Sequence, residues 1–350
     1  MKKLVTALAW PVGAALAGLV VAALLAGLAG EDPLRVLGIL ARSAFGSSFG
    51  FGYTIYYATP LIFAGLAVAL PYRAGLFNIG GEGQLLVGSA AVAAAGIGFA
   101  SLPSVVAIPL GIAAGALAGA AWGLLAGWLR ARRGAHEVIV TILLNIVAGA
   151  LVNWIILALL KDPSSQAAES LPIGEGFRIE SRLVGGTPAN WTFLLGIALA
   201  VLAHYLITRT VFGFDIRATG QNPSAARAQG ISEGRVLMLV MALAGGLAGL
   251  VGVNEVMGQA WRLKDSFSPG YGYTGIAVAL LARGRPLGVI PAALFFGALH
   301  RGAADLDIDT ENVSRDLALV MQAIVILVVA VEAGRLRRTR TTAAGPGGRA

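Results

Sequence analysis

The sequence predicts an all-α, polytopic membrane protein, and three observations predict it. Apolar residues make up 57% of the 350-residue chain and charged residues only 13%, against about 45–50% and about 25% in soluble domains. Long apolar runs recur from Ala7 to Ala330 with no polar block large enough to fold alone. The basic residues, which give a formal charge of +8, stand in short clusters between those runs. That fits loop charges flanking membrane spans, and it lacks the aromatic platforms of a nucleic-acid surface. A single membrane domain over residues 1–340 is expected, with a disordered tail at 341–350. With no cysteine, the chain has no disulfide, thiolate metal site or thiol nucleophile.

A helix needs about 20 apolar residues to cross ~30 Å of hydrocarbon. Ten segments emerge: 10–29, 54–70, 84–101, 104–128, 137–160, 191–208, 235–256, 272–282, 289–300 and 316–333. The eighth and ninth are too short to span alone and need partners or a broken geometry. The first follows Met1-Lys2-Lys3, but it exceeds the roughly 7–15-residue apolar region of a signal peptide and reads as an uncleaved span. A cytoplasmic N-terminus puts 17 of the 26 basic residues inside, among them Arg73, Arg130, Arg217, Arg285 and the five arginines from Arg335 to Arg349. This bias predicts two cytoplasmic termini and an even number of spans. The external segments 31–53 and 161–190 and the internal segment 209–234 are the longest polar stretches.

Gly111, Gly115, Gly119, Gly123 and Gly127 recur every fourth residue and make a smooth stripe on one helix, where a second backbone approaches closely. Between the second and third spans, the run Pro71 to Gln84 holds four glycines and a proline together with Asn78, Glu82 and Gln84. It reads as a broken or re-entrant element, and such irregular backbone marks a cavity or a substrate path. Ser268-Pro-Gly-Tyr-Gly-Tyr-Thr-Gly275 is a comparable break in the second half. Corresponding breaks suggest inverted repeats of spans 2–5 and 7–10. Asn145, Asn153, Asn254 and Glu255 are intramembrane polar residues that either line a path, bond between helices or meet water. Glu137 lies near Arg130, Arg132 and Arg133, where a hydrated ion pair is expected.

In the internal segment 209–234, Asn222 suits a helix N-cap, Pro223 the first helical position and Gly230 the C-terminal cap, with Ala225 and Ala226 favouring helix between them. A short capped helix of this kind either connects two spans or seats in a groove on a cytoplasmic partner.

The runs Arg73 to Gln84, His136 to Asn145, Gly213 to Ile231 and Gly270 to Leu280 resemble permeases of bacterial ABC importers in the ribose/branched-chain amino-acid permease superfamily, most closely the nucleoside importer permeases. The resemblance covers most of the chain. It implies a bacterial inner membrane location and four partners: membrane lipids, a second homologous permease, a cytoplasmic ABC ATPase that carries ATP and Mg, and an extracytoplasmic substrate-binding lipoprotein. It implies no cofactor in this chain. Gly213, Arg217, Gly220, Asn222, Pro223, Ala225, Ala226 and Gly230 would form the coupling element on the ATPase, and Ala226→Glu is expected to uncouple it. For a nucleoside, Phe77, Asn78, Glu82, Gln84, Asn145, Tyr271, Tyr273 and Thr274 are the candidate path residues. The external loop 161–190 carries no inference.

No Gly-x-x-x-x-Gly-Lys-[Ser/Thr] phosphate loop, His-Glu-x-x-His or Gly-x-Ser-x-Gly motif occurs, so no catalytic or metal site is assigned. Two alternatives remain at this stage: a simple-sugar ABC permease, and an ion-coupled secondary transporter, for which Glu82 and Glu255 are the only mid-membrane acids on offer.

Overall fold

A computed structural model describes residues 2–180 and 183–310, together with 320, 323–324, 326–328 and 331. The tail 341–350 and most of the tenth apolar segment lie outside the described residues. Those described fold into helices joined by short loops, with two isolated β-bridges as their only strand-like pairing. Among the described residues, six helices are long and apolar enough to cross a membrane.

At the centre stands α3 (Ser48–Arg73), preceded in the chain by α1 (Lys2–Leu28) and α2 (Pro33–Phe45), with 89% of its most apolar stretch buried. Packed on it are α10 (Glu233–Gly249), α11 (Tyr271–Leu281), α12 (Pro286–Asp309) and α7 (Thr192–Arg209). A second layer, α4 (Gly81–Gly98), α5 (Ser104–Arg133) and α6 (Glu137–Ile155), closes on α10 from the other side. In α5, and in α6 with its π-helical extension Ile156–Leu160, only 22% of the apolar stretch is buried, so most of their surface remains for lipid.

The glycine stripe explains how α5 is held with so little buried surface. Gly115, Gly119 and Gly123 face Gly245 and Gly249 of α10, and the contact is reciprocal. A methyl group on Gly119 would overlap the Gly245 carbonyl oxygen, and one on Gly245 would overlap that of Gly119. Gly88 of α4 joins at the same level, against Gly249 and Gly115. Gly111 and Gly127, at the two ends of the stripe, pack on Met257 and Met241 instead. Between helices in lipid, close backbone approach of this kind replaces the hydrophobic driving force available in water.

Two sequence expectations change. The ninth segment does not end at His300: α12 runs 24 residues to Asp309 and is long enough to span. Its charged last turns stay helical because Arg301 pairs with Asp305 one turn on, at 2.8 Å. The external segment 31–53 is also not plain loop. Asp32 caps α2, accepting from Leu34 N at 2.9 Å, and this amphipathic helix buries Val36, Ile39 and Ala44 towards α12. The eighth segment remains short, as α11 of 11 residues.

The external loop 161–190, left without a role by the sequence, is a fitted cover. Ser170 N donates to Leu263 O and Ile173 N to Trp261 O, both at 2.8 Å, while Ile173 and Phe177 are fully buried beneath. Arg262 spans Asp162 (3.5 Å) and Glu169 (2.6 Å). Hydrogen bonds from Ser164 to Asp162, a serine hydroxyl beside Glu169, and Arg262 hold both carboxyls below their ordinary ranges.

This packing can be tested at the glycine stripe and at the cover. Gly119→Leu is expected to cost more than the ~1–3 kcal/mol of ordinary overpacking, because backbone opposes it, whereas Gly149→Leu meets open space on α6. Melting temperatures in detergent should fall sharply for the first and stay near wild type for the second; equal behaviour of the two would refute the α5–α10 contact. For the cover, lowered carboxyl pKa values stabilise it fully above the ordinary values of 3.8 and 4.5, and that contribution is lost as pH falls through the lowered ones. Hydrogen exchange at Ser170 and Ile173, corrected for intrinsic rate, should be flat from pH 8 to about 5 and rise below about 4. Arg262→Ala should raise it already at neutral pH.

Candidate substrate pathway and coupling surface

Two helix N-termini meet inside the membrane. α3 ends at Arg73, the chain turns at Gly75 (φ +79°), and residues 74–80 run back up along α3 without helical structure. Asn78 donates to Ala67 O at 3.1 Å, more than a turn above the end of α3. From there α4 begins at Gly81, while α11 arrives from the opposite side and begins at Tyr271 after the left-handed Gly270 (φ +87°). Gly275 abuts Ala64, near the middle of the 26-residue α3, which fixes the depth of the junction. Only glycine permits the approach: a side chain on Gly272 would overlap the Glu82 backbone.

Each N-terminus carries unpaired N–H groups and partial positive charge. Facing one another they would repel. Glu82, in the first turn of α4, resolves this by accepting from Gly272 N in the first turn of α11 at 2.8 Å, so that one carboxylate serves both ends. Ser268 Oγ accepts from Gly270 N (3.2 Å) and Tyr271 N (3.1 Å).

The broken backbone before α4 is satisfied by side-chain amides. Asn78 and Gln84 bond reciprocally, at 3.0 and 3.2 Å, and Asn78 Oδ1 also accepts from Gly80 N. Asn145 of α6 accepts from Gly83 N (2.8 Å) and donates to Ile79 O (2.9 Å). Asn78, Gln84 and Asn145 thus supply the bracing that non-helical backbone in a membrane requires. Tyr273, half-exposed, accepts from Asn145 Nδ2 at 3.4 Å. Thr274 is buried in the first turn of α11, and Phe77 is half-buried on the returning segment of chain. Seven of the eight candidate path residues therefore gather at this junction or one turn from it, and Phe77 adjoins it in sequence.

Above the junction lies a cavity of about 370 Å³, walled by Tyr53, Tyr56 and Tyr57 of α3, Tyr271 of α11, and Glu255, with Arg262 and Lys264 at its rim. Glu255 sits in the π-helical end of the α10 span, Val253–Ala260. It accepts from Tyr56 Oη (2.9 Å) and Asn254 Nδ2 (3.0 Å), and Asn254 is tied in turn by Thr192 Oγ1 (2.8 Å). Tyr57 stacks on the half-buried His300 with ring centroids 5.7 Å apart. Of the sequence-derived path residues only Tyr271 reaches this cavity. The three α3 tyrosines were missed, although their i, i+3, i+4 spacing places them on one helical face.

At the other end of α3, α8 (Val211–Gln221) precedes α9 (Pro223–Ala228). Asn222 caps α9, accepting from Ala225 N at 3.1 Å, and Gly230 follows in the left-handed region (φ +82°). Arg227 pairs with Glu233 and pins α9 to the start of α10. Gly213 and Gly220 are steric requirements: a side chain on the first would strike the end of α7, and one on the second the Arg73–Gly75 backbone. Arg217 is half-buried on α8. Ala226 changes meaning, because it is 3% exposed and turned into the chain, while Ser224, Ala225 and Ala228 face outward. Ala226→Glu would disturb the helix itself, so the surface is probed at Ala225. Glu137 pairs with Arg130 at 3.4 Å, as expected from sequence.

Residues 50–330 match the family described as branched-chain amino acid transport system, permease component. The chain is 36% identical to the guanosine ABC transporter permease protein NupP of Bacillus subtilis, over 94% of this chain and 95% of that protein. It is 36% identical to the glucose ABC transporter permease protein TsgB13 of Haloferax volcanii (85% and 80%), and 34% identical to the nucleoside ABC transporter permease protein NupB of Lactococcus lactis (87% and 85%). A span-rich helical chain with broken helices meeting at an acidic residue, matched in this way along most of its length, belongs to the branched-chain amino acid transport system permease family.

Proposed function

We propose that this chain is one permease of an ATP-driven ABC importer for nucleosides, and that the tyrosine-walled cavity is the outer part of its substrate path. The cavity carries the reading: its lining joins four tyrosines to Glu255 and Gln259, an aromatic and hydrogen-bonding surface suited to a base and its ribose. The names of the guanosine and nucleoside relatives support it. A simple-sugar substrate is the second reading, favoured by equal identity to the haloarchaeal glucose permease. The ion-coupled alternative weakens because Glu82 is engaged as a helix cap.

The proposal includes a bacterial inner membrane, cytoplasmic termini and ten spans arranged as inverted repeats. Exchanging α3 with α10, α4 with α11 and α5 with α12 maps one set of packing neighbours onto another: α5 on α10 becomes α12 on α3, and α4 on α10 becomes α11 on α3. The facing α4 and α11 N-termini then mark the pseudo-twofold axis. The partners are a second homologous permease, an ATPase carrying ATP and Mg, and a substrate-binding lipoprotein. The outward face of α9 would seat on the ATPase. Its movement would pass through α8, whose Gly220 rests on the Arg73–Gly75 turn, and would part the Glu82–Gly272 junction beneath the cavity.

Uptake of labelled uridine in matched cells with and without the chain tests the substrate. Loss on deletion, with no competition from excess ribose or glucose, is expected; unchanged uridine uptake would transfer the reading to sugars. Tyr56→Phe keeps the ring and removes the donor to Glu255, so uptake should fall roughly tenfold, the worth of about 1.5 kcal/mol for a hydrogen bond to a charged group. Ala225→Glu keeps α9 helical and should abolish substrate-stimulated ATP hydrolysis in the assembled transporter while leaving membrane levels unchanged. Normal coupling in that variant would remove α9 from the ATPase interface.

A further inference from the structure

Three arginines converge where α3, α8 and the α11–α12 turn meet, and none has a carboxylate partner among the described residues. Arg73 ends α3, and its Nε donates to Gly284 O at 2.7 Å, which leaves both terminal nitrogens of the guanidinium uncommitted. Arg285, at the N-cap of α12, directly follows the Gly284 that Arg73 binds, and Arg217 lies one turn before the Gly220 that packs on the Arg73–Gly75 backbone. The backbones beneath are locked together. Gly220 packs on the Arg73–Gly75 turn, and Tyr72 packs on Gly284, which is left-handed at φ +61°.

Two further observations separate this cluster from ordinary loop charge. Arg217 Nη1 and Thr219 Oγ1, both on α8, are buried without a hydrogen-bond partner, a costly state for a guanidinium N–H. Arg285, at the N-cap of α12, makes no side-chain cap hydrogen bond to that helix. Three like charges held together, one with a stranded donor, lack a single component: an anion with several acceptor oxygens. A phosphate group supplies three and matches the forked geometry of guanidinium.

We propose that Arg73, Arg217 and Arg285 form a binding site for a phosphate group at the end of the molecule opposite the tyrosine cavity. That end is cytoplasmic in the orientation proposed for the transporter. The phosphate belongs either to a soluble phosphorylated compound, such as the 5′-monophosphate of a nucleoside, or to a lipid headgroup at the inner leaflet. Because α8 leads directly into α9, occupancy would brace the segment through which movement reaches the junction, and a soluble phosphorylated compound would thereby act on transport from the inside.

The test uses the full chain in phosphatidylcholine nanodiscs, which leave both faces accessible and so do not depend on orientation. Uridine 5′-monophosphate, inorganic phosphate and uridine are titrated while binding and melting temperature are followed, and a second set of discs contains phosphatidylglycerol. Stabilisation by the monophosphate and by phosphate in phosphatidylcholine identifies the soluble source; stabilisation only with phosphatidylglycerol identifies the headgroup. Either must weaken at least tenfold in Arg217→Gln and in Arg285→Gln and survive in Arg285→Lys. Arg285 is exposed, so its variants do not disturb buried packing. Absence of both effects overturns the site, as does stabilisation that persists in the two glutamine variants, or an Arg285→Gln defect confined to assembly with the ATPase. Uridine binding that depends on Tyr56 is read in the same discs, so failure of the substrate reading and failure of the anion site are separate results.

Discussion

One carboxylate between two helix ends organises this molecule. Without Glu82, the α4 and α11 N-termini would present partial positive charges to each other inside a low-dielectric layer, where neither water nor mobile ions soften the repulsion. With it, the two ends become a joint, and the tyrosine cavity acquires a floor, because Tyr271 lines the cavity and its neighbour Gly272 binds Glu82. The joint constrains the sequence around it. Both helices must start at glycine-rich breaks, the backbone freed by the first break needs the Asn78, Gln84 and Asn145 amides, and the second needs Ser268.

The joint is held by a frame that admits little adjustment. α5 and α10 touch backbone to backbone through Gly115, Gly119, Gly123, Gly245 and Gly249, where carbonyl oxygens rather than side chains face the glycines. Sliding one helix along the other would drive carbonyl oxygens into α-carbons. Beyond this contact the α10 span changes character. Its last turns, Val253–Ala260, widen to π geometry, bury Val253, Val256 and Met257, and carry Asn254 and Glu255 on hydrogen bonds.

Much of this was legible because it is written in residues with narrow physical uses. A glycine every fourth position has few explanations other than a close helix contact, and Pro71 to Gln84 cannot continue a helix. Asn222-Pro223 and Gly230 specify a short capped helix through residue type and spacing alone. The helix ends were less readable. α12 passes through Arg301 and Asp305 because they pair with each other, a contact that an apolar-run criterion discounts. Ala226 looked like surface because alanine is compatible with either face, and only the packing of α9 shows which one is turned in. The aromatic cavity was hidden for a different reason. Its walls come from α3, α11 and the end of the α10 span, far apart along the chain and joined only by tertiary contact, and its carboxylate, Glu255, was indistinguishable in sequence from a residue at a water boundary.

The junction sets the work that opening would require, because its polar groups are bonded to one another. Parting Glu82 from Gly272 would break a buried, charge-assisted hydrogen bond to the α11 N-terminus, a cost of about 1.5–3 kcal/mol. In the proposed transporter, a pull on α9 is well placed to meet that cost. Arg227 and Glu233 tie α9 to α10, Gly220 ties α8 to the end of α3, and Arg73 ties that same turn to Gly284 just beyond α11. Force applied at one short surface helix thus reaches α10, α3 and α11 together, and these are the helices that wall the cavity. In that proposed transporter the same Glu82 contact would draw the floor closed again on release, so the pathway would open only while work is done on it.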